Sequence, residues 1–317
     1  MVETKKNKIR GVSLALLAAL LAGLIVPFNK LLLGSMPVYQ LAAITSLSAA
    51  FFSGILLFFT RCLKRKTPAS RPLAKGKEWI YIALIALTEV AALICQYEGI
   101  SRMSGGSTAS LIYACSTVTT GLIALFFHDK TSGWGWIAIV LITVGAGLLS
   151  FTPGEAFSFE FGAGLLLIAT ACWGLENNLM KKVSYVDTNE VIFFKNLIPG
   201  IVVLIISLCQ GQFDYGHIEV FYGAMLGIAS AGLGMAVFSM SMRDLSSSLA
   251  TSFYCLNPFV GSILCIIIFK ETSLNWNFFV AGGLMLAGAG FAFFDAFHQS
   301  KKESAEPPED GSSAPVS

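Results

Sequence analysis

Glu89 interrupts an apolar run, with Leu84 to Leu87 before it, Val90 to Ala92 after it and no Lys or Arg within one helical turn. If the run beginning near Trp79 is a helix, Glu89 lies ~15 Å along it at 1.5 Å per residue, the depth of a bilayer midplane. A charge there costs about 2.5–3.5 kcal/mol on insertion scales. A carboxyl kept at that depth either exchanges a proton or pairs with a substrate ammonium. The plainer reading is a neutral acid hydrogen-bonded to a neighbouring helix.

A second constellation is Trp173, Glu176, Asn177, Asn178 and Lys181. On a helix, Trp173, Asn177 and Lys181 share one face at i, i+4 and i+8. Glu176 points elsewhere and could reach Lys195 on the next helix. Both sit ~7 Å inside one membrane face by helical rise, as a structural ion pair or a gate. Lys30 follows Pro27, which lacks an N–H and should kink its helix. Lys30 and Lys181 occupy matching places near opposite faces, suited to guard two entrances or to snorkel towards water. Tyr113 and Tyr254, the latter with Asn257 and Pro258, fall inside apolar runs. They could line one cavity from two sides, or simply hydrogen-bond between helices. Gln96, Tyr97, Thr117, Thr119 and Thr120 are weaker candidates.

The elements that hold these residues must span lipid. Of 317 residues 55% are hydrophobic and 13% charged, and mean hydropathy is +0.72. No water-soluble surface can be built from so few charges. Ten runs approach the roughly 20 apolar residues a span needs: 11–33, 37–60, 78–98, 105–127, 134–151, 160–181, 190–209, 218–240, 247–269 and 275–297. The first is too long for a signal peptide, lacks a small-x-small cleavage pattern and recurs inside the chain. With the N-terminus in the cytoplasm, seventeen Lys and Arg fall in inside segments. Only Arg102 and Lys270 fall outside, so both termini are expected to be cytoplasmic.

The chain writes itself twice. Arg102, Ser107, Ala109 and Tyr113 return as Arg243, Ser248, Ala250 and Tyr254. Phe127, Asp129 and Trp134 return as Phe269, Glu271 and Trp276, and Gly145 to Gly147 as Gly288 to Gly290. Gly11, Leu14, Gly23 and Lys30 return as Gly162, Leu165, Gly174 and Lys181. A creeping offset marks a duplication with small insertions. Each half holds five helices, an odd number, so the halves are inverted copies, a common plan of secondary transporters. The expected units are 1–10, a cytoplasmic N-terminus; 11–151 and 160–297, the two repeats; and 298–317, a polar cytoplasmic tail expected to be disordered. The glycines of 145–147, 282–283 and 288–290 read as close helix packing. A Gly-x-Gly inside an apolar helix is no nucleotide loop.

Nothing points to a metal or cofactor: no CxxC occurs, and His128, His217 and His298 are far apart. No cluster of His, Asp or Ser suggests an enzyme. The expected partners are the lipid bilayer and a small-molecule substrate, not nucleic acid, with the protein a monomer or homodimer.

Pro27-x-x-Lys30, Trp173-Gly174 with Asn178-x-x-Lys181, Lys195, and Leu256-Asn257-Pro258 followed by Phe269-Lys270-Glu271 carry a family resemblance. The chain resembles the drug/metabolite transporter superfamily in its ten-helix form of two EamA-type repeats, over residues ~11 to ~297. In the first repeat Thr117, Asp129 and Thr45 stand where that pattern has proline, glutamate and arginine. The resemblance implies an all-α integral membrane protein of the inner or plasma membrane that exports amino acids or other small metabolites. It implies coupling to a proton gradient, exchange or facilitated diffusion. Two alternatives stay open: an organic-anion or phosphometabolite exchanger, motivated by the intramembrane lysines, and a non-transporting membrane subunit.

Overall fold

The computed structural model describes residues 5–63, 72–126, 133–149, 160–183, 185–212, 218–242, 244–245, 250, 253–271 and 275–303. Every regular element among them is helical. In chain order these are α1 (Lys5–Gly23), α2 (Ile25–Leu32), α3 (Val38–Leu63), α4 (Glu78–Arg102), α5 (Gly106–Ile112), α6 (Cys115–Phe126) and α7 (Gly133–Leu149). Then follow α8 (Phe161–Lys182), α9 (Thr188–Cys209), α10 (Ile218–Gly227), a π-helical segment (Ile228–Gly234), α11 (Met235–Ser241), α12 (Asn257–Phe269) and α13 (Trp276–Glu303). Among the described residues six stretches are long and apolar enough to cross a membrane: Ile9–Leu32, Val38–Cys62, Glu78–Arg102, Thr188–Cys209, Ile218–Ser241 and Trp276–Asp295. Gly133–Leu148 and Asn257–Phe269 are shorter apolar helices.

Local chemistry explains the interruptions. Pro27 does not bend the helix at itself. The break falls at Gly23–Leu24, and Gly23 is the residue whose carbonyl, four back, the proline ring would strike. Pro258 stands in the first turn of α12, where its missing N–H costs nothing. Pro199 lies inside α9 and removes the usual helical donor from the Lys195 carbonyl. Asp187 caps α9, its Oδ1 accepting from Asn189 N at 3.1 Å. Two segments extend helices past expectation. α1 takes in Lys5 to Arg10, and α13 continues to Glu303, into the region read as tail.

Helices of one half pack on helices of the other. The most extensive pairings are α3 with α9, α4 with α8 and α7 with α13. Further contacts join α6 to α8, α5 to α12, α4 to α9, α3 to α10, and α1 to α11, α12 and the π segment. Small residues permit the closest of these. A Cβ on Gly162 would lie 2.8 Å from Gly99 O, so α4 and α8 touch backbone to backbone. Gly145 and Gly288 do the same for α7 and α13, where a Cβ would meet Ala281 O at 2.9 Å and Ala138 O at 3.0 Å. The packing reading fails for Gly147, Gly283 and Gly290, beside which a Cβ would meet nothing within 4 Å. In a helix of alternating exposure, only one side of a glycine cluster can face the neighbour.

Candidate functional site

Packing of α4 against α8 and α9 brings three charged side chains together. Lys195 Nζ donates to Glu176 Oε1 at 2.5 Å and lies 3.8 Å from Glu89 Oε2. Glu176 is 2% exposed and Glu89 8%. Trp173 Nε1 donates to Glu89 Oε2 at 3.1 Å, and the Trp173 ring stands edge-on to Tyr113, centroids 5.0 Å apart. The isolation of Glu89 along its own helix is therefore relieved across helices, by a lysine 106 positions away in sequence. Lys195 bonds Glu176 directly and reaches Glu89 only at long range. The pair Lys195–Glu176 is neutral, so an ionised Glu89 is left with one unbalanced charge.

Glu89 also faces a cavity of about 50 Å³ lined by Thr45, Ser46, Gln96, Tyr97, Asn196 and Ser230, with Ile25, Leu93, Gly227 and Ala231. At ~10–15 Å³ for one water it holds a few waters. Its walls come from α2, α3, α4, α9, α10 and the π segment, which are drawn from both halves. Local departures from α geometry such as this π segment often mark functional sites. Asn29 of α2 is wholly buried near Tyr97, one of the lining residues.

A second polar cluster closes the end of the molecule where Lys30 lies. Lys30 Nζ donates to Met103 O at 2.5 Å. Glu160 Oε1 accepts from Ser104 N at 2.5 Å, and Glu271 Oε1 from Gly106 N at 2.8 Å. The Ser107 hydroxyl also donates to Glu271. Lys270 takes a left-handed conformation, φ 50°, which ends α12 and turns the chain towards α5. Two acids of the second half thus hold the α4–α5 turn of the first. At the opposite end Arg61 Nη2 donates to Asp187 Oδ2 at 2.8 Å and Ala74 N to Glu190 Oε2 at 2.9 Å. Cys265 is fully buried under Gly106, where a Cβ would lie 3.0 Å from its Sγ. Replacing Glu271 with Ala removes the cap of α5, a loss of about 1 kcal/mol. Maleimide labelling of Cys265, read by peptide mass spectrometry, is expected to quicken in that variant, with Cys115 labelling unchanged.

The profile of the EamA-like transporter family matches residues 9–151 and 160–294, two copies in tandem. The chain belongs to the EamA-like transporter family. It is a membrane transporter rather than an enzyme. It is 23% identical over 259 residues to the "Uncharacterized inner membrane transporter YedA" of Escherichia coli K12, covering 80% of this chain and 81% of the relative. The proteins of that name in strains O6:H1 and O157:H7 align equally. A solved crystal structure superposes with a TM-score of 0.63 at 15% identity, covering 93% of this chain and 98% of its own. That likeness concerns the fold.

Within this EamA-family fold the residues singled out by sequence part company. Glu89, Glu176, Lys195 and Trp173 converge. Lys30 belongs to the end cluster instead. Lys181 and Asn177 are exposed, Asn177 Nδ2 reaching Thr120 Oγ1 at 3.1 Å, and Asn178 is a buried structural amide bonded to Thr120 O and Gly174 O. The tyrosines do not line the cavity. Tyr113 packs on Trp173, and Tyr254 packs on Phe238 at 4.6 Å with its hydroxyl 3.8 Å from Met235 Sδ. Each ring is taken up by an aromatic side chain of a neighbouring helix, Trp173 on α8 and Phe238 on α11. Asn257 bonds Tyr254 O at 3.0 Å. Asp129, Arg243 and Ser248, named by the repeat, lie outside the described residues. Ser46, Ser230, Asn196 and Glu160 gave no functional signal in the sequence, and Thr45 and Glu271 entered only through the family pattern. A serine or threonine in a spanning helix can bond its own backbone, so it carries no burial cost to reveal it. Asn196 could have been found by the rule that singles out Glu89.

Proposed function

We propose that the chain is a secondary active transporter that moves a small metabolite, an amino acid or similar zwitterion, by alternating access. It works as a proton-coupled exporter or exchanger in the inner or plasma membrane. The observation that carries this is Glu89, deep in the protein, facing a polar cavity and incompletely balanced by Lys195. Such a carboxyl can alternate between a proton and a substrate ammonium, which is the exchange that coupling needs.

Ten spans in two inverted five-helix repeats form the framework of this reading. The helix pairings support it. Taking each helix as equivalent to the one five spans later, α4 with α8 becomes the π segment and α11 with α1, α6 with α8 becomes α12 with α1, and α3 with α9 becomes itself. α8 enters the count as a span although its polar residues keep it out of the clearly apolar set. The basic residues favour cytoplasmic termini. The organic-anion alternative gains no support, since no lysine lines the cavity.

The test is Glu89→Gln in proteoliposomes with an internal pH dye. Substrate-driven proton movement is expected to disappear, and substrate exchange to weaken with it. Wild-type proton movement in that variant overturns the coupling role.

A further inference from the structure

The cavity beside Glu89 is lined by hydroxyls whose protons are already committed elsewhere. Thr45 Oγ1 donates to Leu41 O at 2.9 Å and Ala42 O at 3.1 Å. With that proton engaged, the 2.5 Å contact to Tyr97 is a bond donated by the tyrosine hydroxyl. Ser46 Oγ donates to Asn196 O at 2.9 Å, and Ser230 Oγ to Leu226 O at 2.6 Å. Asn196 Nδ2 donates to Ile192 O at 2.8 Å. A hydroxyl has one proton and two lone pairs. Once the proton is bound to the helix backbone, only lone pairs remain for the cavity. The amide of Gln96 and the second Nδ2 hydrogen of Asn196 are the donors that remain among the polar lining residues.

Four hydroxyl oxygens, of Thr45, Ser46, Tyr97 and Ser230, two amides and one carboxylate therefore meet in a space of about 50 Å³. This surface accepts hydrogen bonds and carries negative charge. An anion would meet the Glu89 carboxylate and find donors only on the Gln96 and Asn196 amides, and burying an acceptor unpaired costs about 1–3 kcal/mol. A primary ammonium brings three donors and the charge that balances Glu89. The room suffices for such a head group and not for a bulky one.

We propose that this cavity is the subsite for the ammonium head of the transported molecule, with Glu89, Thr45, Ser46, Ser230 and Asn196 as its acceptors. The assignment rests on the transporter reading above and adds the chemical class at one end of the substrate. Lys195 is excluded from the subsite by its bond to Glu176, so it sets the charge of the site without occupying it. Thr45, Ser230 and Asn196 are specificity-determining residues here, each through a lone pair rather than a charge.

The experiment uses the purified full-length chain in detergent, with thermal unfolding as readout and ethylammonium chloride, sodium propionate, ethylene glycol and sodium chloride as probes at equal concentration. Ligand that binds the folded state alone raises its stability by mass action. Ethylammonium is expected to raise the unfolding temperature, and propionate and ethylene glycol are not. Thr45→Val and Ser230→Ala, which keep shape and remove one lone-pair donor set each, are expected to weaken ethylammonium binding about tenfold or more, since a hydrogen bond to a charged group contributes about 1.5–3 kcal/mol. Their unfolding temperatures without ligand and their gel-filtration profiles show that they fold. Stabilisation by propionate, an unchanged ethylammonium response in both variants, or stabilisation by sodium in place of ethylammonium overturns the proposal. Substrate exchange in liposomes that survives such a result leaves the transporter reading standing. Ethylammonium binding without any exchange sinks the transporter reading and spares the subsite.

Discussion

Lys195→Met is expected to destabilise the protein by about 3–5 kcal/mol, because it leaves two carboxyls buried with no cation between them. Glu176 is 2% exposed and its Oε1 depends on the Lys195 bond at 2.5 Å, while Oε2 is buried with no partner at all. The double variant Lys195→Met with Glu176→Gln removes the charge that the single variant strands. It should recover part of the loss, a coupling of the kind seen between residues in one network. Urea or thermal unfolding in detergent measures both. A single variant as stable as wild type would show that the triad contributes nothing to folding. Transport should fail in the single variant even at temperatures where it stays folded, since Glu89 then lacks its long-range partner.

The second large effect is expected at Gly227. A Cβ there would drive into the backbone carbonyl of Thr45 and the hydroxyl of Ser48, where α10 crosses α3. Backbone cannot rotate away as a side-chain tip can. Gly227→Leu should therefore cost about 1–3 kcal/mol as overpacking, and it should push Thr45 and the π segment apart beside the cavity. Substrate exchange in liposomes is expected to fall to background. Gly283→Ala is the control, since a Cβ at that site meets nothing within 4 Å, and an alanine there favours the helix by about 0.8–1.0 kcal/mol. Equal effects at the two positions would refute the packing argument.

The membrane class was legible from composition, and the two halves from residue pairs such as Lys30 with Lys181. The ion pair of Glu176 and Lys195 followed from depth, because two opposite charges a similar distance inside a membrane have few other partners. The third member was hidden. A helix wheel shows what Glu89 lacks on α4 but not which neighbouring helix supplies it. The tyrosines misled for the same reason in reverse. Their repetition was real, yet repetition records ancestry and equally preserves a ring that packs between helices. The cavity's hydroxyls were illegible because their lone pairs matter, and lone pairs are exposed only by knowing where each proton goes.

α8 holds Glu176, Asn177, Asn178, Lys181 and Lys182 in its last two turns and is too polar to be counted among the clearly apolar helices. During synthesis it emerges ahead of α9, and Glu176 must wait for a lysine 19 residues further along the chain. A carboxylate stranded in hydrocarbon costs about 2.5–3.5 kcal/mol on insertion scales. The two helices are joined by the short segment Val183 to Asp187. They are therefore best admitted to lipid together, as a hairpin that carries its own counter-charge. The pair that tunes the site in the finished protein would on this view act first in biogenesis, deciding whether the second half of the chain enters the bilayer at all.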